Sequence, residues 1–283
     1  VEFGVFILHY IVNSVNIVLF LIIEYYVFIK GNNKKKIFLA ALFLISLGNY
    51  ILILHRYGFF LLLMMAFCFI YYSGRRIKLR TFIVFGSLVI LLIIGIQSLR
   101  ATQLVQAYVV LESKMKFSDR YSEFAIPYMY IAMNLENFVK YYSEIISHSY
   151  GSFTFEFLTN SVGISSWIAE YFNFDKFKLH IGGYNTFPFY WPYYYDFGIS
   201  GLAIVPFIIG FIISNIYYRL HRNPNMVALT LYAVAFAVIV ISYTSDPLTR
   251  LDMMLNFVVI VVAQYFIINN GNQQISKYIN VNT

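Results

Sequence analysis

The chain has 283 residues, of which 60% are hydrophobic and 12% charged, with a formal net charge of +7. A water-soluble fold of this length cannot hide so much apolar surface, so lipid must be the solvent for much of the chain. The Lys and Arg residues sit in short clusters between apolar runs, where positive charge sets membrane orientation, and no nucleic-acid partner is expected.

The first segment has no basic n-region and no small-residue cleavage site, so it does not read as a signal peptide. A run of about 20 apolar residues crosses the hydrocarbon as a helix, because lipid offers no partners for exposed backbone amides. Seven runs qualify: Val5 to Ile29, Ile37 to Leu54, Phe59 to Tyr72, Thr81 to Gln97, Phe197 to Tyr218, Met226 to Tyr243 and Met253 to Ile268, the third being short and open to a re-entrant reading. The expected fold is therefore an all-α integral membrane protein, a polytopic helical bundle forming a single membrane domain over residues 1–283. The first run contains Glu24, which either marks a proton or substrate path or lies near the inner end and reaches out beside Lys30. The second reading is preferred. Cys68, the single cysteine, lies in the third run and has no partner for a disulfide or a cysteine metal site.

Three linkers carry the basic clusters, with Lys34, Lys35 and Lys36 in the first, Arg75, Arg76, Lys78 and Arg80 in the second, and Arg219 and Arg222 in the third. These belong in the cytoplasm, and alternation puts His55 to Gly58, Thr244 to Asp252 and the long segment of residues 98–196 outside. An odd number of spans with an external start is what a piece of a longer protein gives, and further spans are expected before Val1. The long segment shows no repeat and no second soluble domain. It reads as interfacial helices, with Ile131, Leu135, Phe138, Tyr142 and Ile145 at helical spacing and Asn134, Glu136, Asn137, Lys140 and Glu144 around the rest. Gly182, Gly183, Pro188 and Pro192 then break regularity before the fifth span.

Several polar residues share the outer level. Arg56, Arg100 and Arg250 are positioned to grip a diphosphate, since the planar guanidinium pairs two phosphate oxygens and stays charged. Arginines at helix ends also reach to lipid headgroups in any membrane protein. Arg56 and Arg250 stand out because short outer loops disfavour cations. Asp196, at the mouth of the fifth span, has the placement of a general base or of a helix N-terminal carboxylate, with His180 and His55 as alternative bases. Asp246 and Asp252 lie in the same outer connection as Arg250. The aromatic run through Tyr184, Phe187, Phe189, Tyr190, Trp191, Tyr193, Tyr194 and Tyr195 offers faces for sugar rings or forms an interfacial belt. No Asp-x-Asp pair, Walker loop, His-Glu-x-x-His or Gly-x-Ser-x-Gly motif occurs, which removes support for ATP hydrolysis, zinc proteolysis and serine hydrolysis.

Gly183-Tyr184-Asn185-Thr186, followed by Tyr193-Tyr194-Tyr195-Asp196-Phe197-Gly198 and Gly201, resembles the Wzy-type oligosaccharide repeat unit polymerases, or O-antigen polymerases. Arg56, within Leu54-His55-Arg56-Tyr57-Gly58, and Arg100 also sit where that family carries arginines. The resemblance covers about Leu54 to Tyr218 and implies a bacterial cytoplasmic (inner) membrane protein. It would join undecaprenyl-diphosphate-linked oligosaccharide units into O-antigen or capsular polysaccharide on the outer face, without metal, cofactor or nucleotide sugar. A chain-length regulator protein is the implied protein partner. Asp196 and His180 become the candidate catalytic residues, with Arg56, Arg100, Arg250, Asn185 and Tyr194 as candidate substrate contacts. A flippase or transporter of lipid-linked oligosaccharide, or an O-antigen ligase, would share the membrane setting and the cations.

Overall fold

The structure, a computed structural model, describes residues 14–28, 33–53, 56–72, 80, 83–84, 87, 107, 110–111, 128, 132, 134–139, 142, 148–171, 187–223 and 225–270. Among them there is helix and turn but no strand. The helices are α1 (Val15–Phe28), α2 (Asn33–Ile53), α3 (Arg56–Tyr72), α4 (Glu156–Val162), α5 (Ser165–Tyr171), α6 (Trp191–Arg222), α7 (Met226–Ile241) and α8 (Leu251–Asn270). Of the expected spans, the first three and the last three each fall on one of these helices. Most of Thr81 to Gln97 lies outside the described residues.

By contact the chain forms two compact units. The first gathers Val1–Ile96, Phe211–Ala237 and Asp252–Thr283. Here α1 packs on α2 and α3. Ile17, Leu19 and Phe20 of α1 are buried, as are Leu61, Met65 and Phe69 of α3, and Phe20 and Phe69 meet edge to face at 5.8 Å. Small and branched residues of α7, among them Ala233 and Val234, and Ile260 of α8 complete this core. Glu24 does not reach out beside Lys30 as expected. It is fully buried, accepting hydrogen bonds from Thr230 and Gln264.

The second unit gathers Gln97–Gly210 and Val238–Leu251. Residues 132, 134–139 and 142 are helical, in line with the interfacial helix read from the sequence. Its faces are the reverse of those in a soluble helix: Asn134 and Asn137 are buried, while Leu135, Val139 and Tyr142 are exposed. Asn134 reconciles its burial by donating its side-chain amide to the Tyr243 carbonyl at 3.2 Å. Exposing Leu135, Val139 and Tyr142 would be costly in water and favourable against hydrocarbon, and Glu136 is exposed beside them.

The long helix α6 is the one described helix both long and apolar enough to cross a membrane, and only 11% of its apolar window is buried. Lys34 to Lys36 open α2, and Arg219, His221 and Arg222 close α6, where cations complement the helix C-terminal dipole. Near its start α6 is not one continuous helix, because Gly198 adopts φ 64° and ψ −147°. That backbone region is essentially open to glycine alone.

Candidate functional site

The Gly198 kink explains how the site is assembled. A helix break leaves carbonyl groups without their usual partners four residues on, and buried carbonyls must find others. The Tyr195 carbonyl accepts from the Ser149 amide at 3.3 Å and meets His148 Nδ1 at 3.1 Å, and the Asp196 carbonyl accepts from the Tyr150 amide at 3.3 Å. Since a carbonyl only accepts, His148 must carry its proton on Nδ1. The His148 ring lies against Gly198, where a Cβ would stand 3.1 Å from Nε2. Three residues on, a Cβ at Gly201 would stand 2.0 Å from the Tyr193 carbonyl oxygen, so the backbone itself occupies that space. Both glycines of the Asp-Phe-Gly-x-x-Gly stretch are thus required by the fold.

Asp196 is fully buried. Its carboxylate accepts from the Ser149 hydroxyl, from the Phe153 amide at 3.2 Å and from the Thr154 amide at 2.5 Å. One side chain therefore winds residues 149–154 around itself. Of the two tasks the sequence left open for Asp196, general base or structural carboxylate, this geometry describes the second, since its lone pairs face three donors. The loop it shapes leads into α4, whose first residue is Glu156, and α4 ends at Gly163 with a left-handed cap at φ 78°.

The Glu156 carboxylate faces Asn160, which donates to it at 3.4 Å, and feels the positive charge of Arg250. Burial raises its pKa above the usual glutamate range, and Asn160 and Arg250 partly oppose that. Arg250 is exposed and closes the short 3₁₀ turn Pro247–Thr249. Asp246 caps the same turn, accepting from the Leu248 amide at 2.9 Å and from the Tyr193 hydroxyl. Burial pushes the Asp246 pKa up to about 6, with the Tyr193 and Leu248 hydrogen bonds pulling the other way. Phe189 also donates its amide to the Ser242 carbonyl at 2.9 Å, tying the approach to α6 to the end of α7.

Aromatic rings fill the space between. Trp191 stacks on Tyr195 at 5.2 Å, and Phe153 meets both edge to face. Tyr194, expected to contact substrate, stacks on Tyr142 at 5.0 Å with Phe138 against it edge to face, so its ring is packed inside the protein. Among the described rings of this run, Tyr190 is the exposed one.

Of the residues singled out in the sequence, Asp196, Tyr194 and Arg250 fall in this unit, and the structure links Arg250 with Glu156. Arg56 opens α3, and its side chain lies outside what is described. His180, Asn185, Arg100 and His55 lie outside the described residues. Sequence reasoning passed over His148, Ser149 and Glu156. His148 and Ser149 find their partners 47 residues away, and Glu156 feels the charge of Arg250 from a distant part of the chain, so nothing in their immediate neighbours marks them. Comparison of the chain with protein families, curated proteins and solved structures finds no match.

Proposed function

We propose that this chain is a multi-pass protein of the bacterial cytoplasmic membrane. In this reading it joins undecaprenyl-diphosphate-linked oligosaccharide units into surface polysaccharide on the outer face, as a Wzy-type polymerase does. One observation carries the reading. The Asp-Phe-Gly-x-x-Gly stretch behind the resemblance has a structural task at Asp196, Gly198 and Gly201, and the loop that Asp196 organises leads to Glu156, a carboxylate that feels the positive charge of Arg250. A partly desolvated carboxylate within the field of a cation is what this transfer needs. The exposed apolar surface of α6 and the buried asparagines of residues 134–139 support the lipid setting.

In the reaction the acceptor sugar hydroxyl attacks the anomeric carbon of the growing chain, the carbon–oxygen bond to the lipid diphosphate breaks, and the diphosphate leaves with the electron pair. Charge develops on phosphate oxygens, so a fixed guanidinium aimed there stabilises the transition state more than the ground state. Arg250 takes that task, and Arg56 and Arg100 are the other arginines that the resemblance offers for it. The hydroxyl proton passes to a carboxylate, which contributes about a hundredfold or more. We assign that role to Glu156 and give Asp196 the positioning of the loop that presents it. His180, Asn185 and Tyr190 remain available to orient sugars.

The test is purified protein with lipid-linked repeat units, read as a ladder of product lengths; a single capped unit would indicate a ligase, and no product a carrier. Glu156→Gln and Arg250→Lys should each lose at least about a hundredfold in rate at matched protein level, the lysine because it cannot pair two phosphate oxygens. Excess EDTA should leave the rate unchanged. Full activity of both variants, or dependence on a divalent metal, would overturn the assignment.

A further inference from the structure

Glu24 of α1, Thr230 of α7 and Gln264 of α8 form a polar cluster inside the first unit, and all three are fully buried. The Gln264 amide nitrogen lies 2.9 Å from Glu24 Oε2 and 2.7 Å from Thr230 Oγ1. Thr230 Oγ1 lies 2.7 Å from Glu24 Oε1 and 2.8 Å from the Met226 carbonyl oxygen. These four contacts can be checked against the hydrogens available.

The Gln264 amide has two hydrogens and fills two of the contacts. The other two both need a hydrogen from Thr230, whose hydroxyl has one, while the Met226 carbonyl can only accept. With Glu24 ionised, one short oxygen–oxygen contact therefore holds no hydrogen. With a proton on Glu24 Oε1 every contact is filled: the carboxyl donates to Thr230, and Thr230 donates to Met226. Turning the Gln264 amide over does not remove the need, because its oxygen would then face Glu24 Oε2 as a second acceptor. A metal ion does not fit as the missing link, since oxygens sharing a cation at about 2.3 Å stand more than about 3 Å apart.

Among the described residues no charged side chain offsets an ionised Glu24, and its carboxylate is met there by Thr230 and Gln264. On the neighbouring helices, Cys68 of α3 and Tyr232 of α7 titrate but do not act on it, and Lys34 and Lys35 of α2 lie at its exposed start. We infer that Glu24, Thr230 and Gln264 form a buried proton-binding site, in which Glu24 is held as a neutral carboxylic acid. This inference is independent of the polymerase reading.

The experiment uses the whole chain in lipid nanodiscs at neutral pH. Infrared difference spectra of wild type minus Glu24→Gln should contain a carboxylic-acid C=O stretch that shifts in heavy water. Dicyclohexylcarbodiimide takes up the carboxyl proton and is attacked by the resulting carboxylate, so it should add one reagent mass to Glu24, and excess sodium chloride should not protect. A carboxylate stretch in place of the acid stretch, or protection by sodium, overturns the proposal. Thr230→Val keeps the carboxyl and removes its acceptor, so the acid stretch must persist and move to higher frequency. Its absence there would also overturn the proposal, even if Glu24→Gln fails to fold.

Discussion

At the scale of single residues, the second unit uses two of its aspartates differently. Asp196 spends its carboxylate on a hydroxyl and two backbone amides and thereby fixes a loop. Asp246 caps a turn and takes the Tyr193 hydroxyl, yet burial still lifts its pKa from 3.8 to about 6. The folded protein thus binds this proton more tightly than the unfolded chain does. Stability linked to Asp246 is therefore fully present below about pH 4 and is lost as pH rises through about 6. At about 1.36 kcal/mol per unit, the linked change is at most about 3 kcal/mol. The thermal midpoint in detergent should rise on acidification from pH 7 to pH 5, and Asp246→Asn should flatten that rise while keeping an acceptor for Leu248 and Tyr193. Glu156, also raised, adds in the same direction, so Asp246→Asn should reduce the slope without abolishing it. An unchanged slope would mean that Asp246 titrates normally.

At the scale of elements, the kinked entry to α6 connects motif to geometry. Gly198 turns the chain through a conformation other residues avoid, and Gly201 lets the Tyr193 carbonyl approach the following helix. Gly201→Ala places a methyl 2.0 Å from a backbone oxygen, so the backbone must shift and the carbonyls held by residues 148–150 shift with it. Overpacking of this kind costs about 1–3 kcal/mol or more. The variant should show a lower thermal midpoint and faster proteolysis at residues 149–154, whereas Gly210→Ala, with open space at its Cβ, should behave as wild type. Equal behaviour of the two variants would remove the packing argument. Such positions are legible in a sequence as glycines, but the reason for them is not, because it depends on a carbonyl eight residues back and a histidine 50 residues back. Helix positions were legible because apolar length alone sets them. The orientation of residues 134–139 was not, since helical spacing marks an apolar face without saying what it meets, and here Asn134 and Asn137 are the buried ones. Glu24 was misread for a related reason: its partners Thr230 and Gln264 come from helices more than 200 residues along.

At the scale of the whole molecule, the proposed reading depends on which side of the membrane each connection faces. Lys34 to Lys36, Arg75 to Arg80 and Arg219 to Arg222 stand at three separate linkers, and translocating all three would work against the bias that keeps Lys and Arg inside. A chain that retains them in the cytoplasm must export the segment holding Glu156 and the turn holding Arg250, because an apolar helix separates each from a basic linker. The α6 helix states this within one element, with its motif residues at the start and Arg219, His221 and Arg222 in its last turn. Reporter fusions after Lys36, Arg80 and Asn225 should therefore give a cytoplasmic signal, and fusions within residues 114–150 and after Thr249 an external one. The two external fusions test different spans, so agreement between them is a stronger result than either alone. A cytoplasmic signal from both would put Glu156 and Arg250 on the face opposite the lipid-linked donor, and the polymerase assignment would fall with the topology.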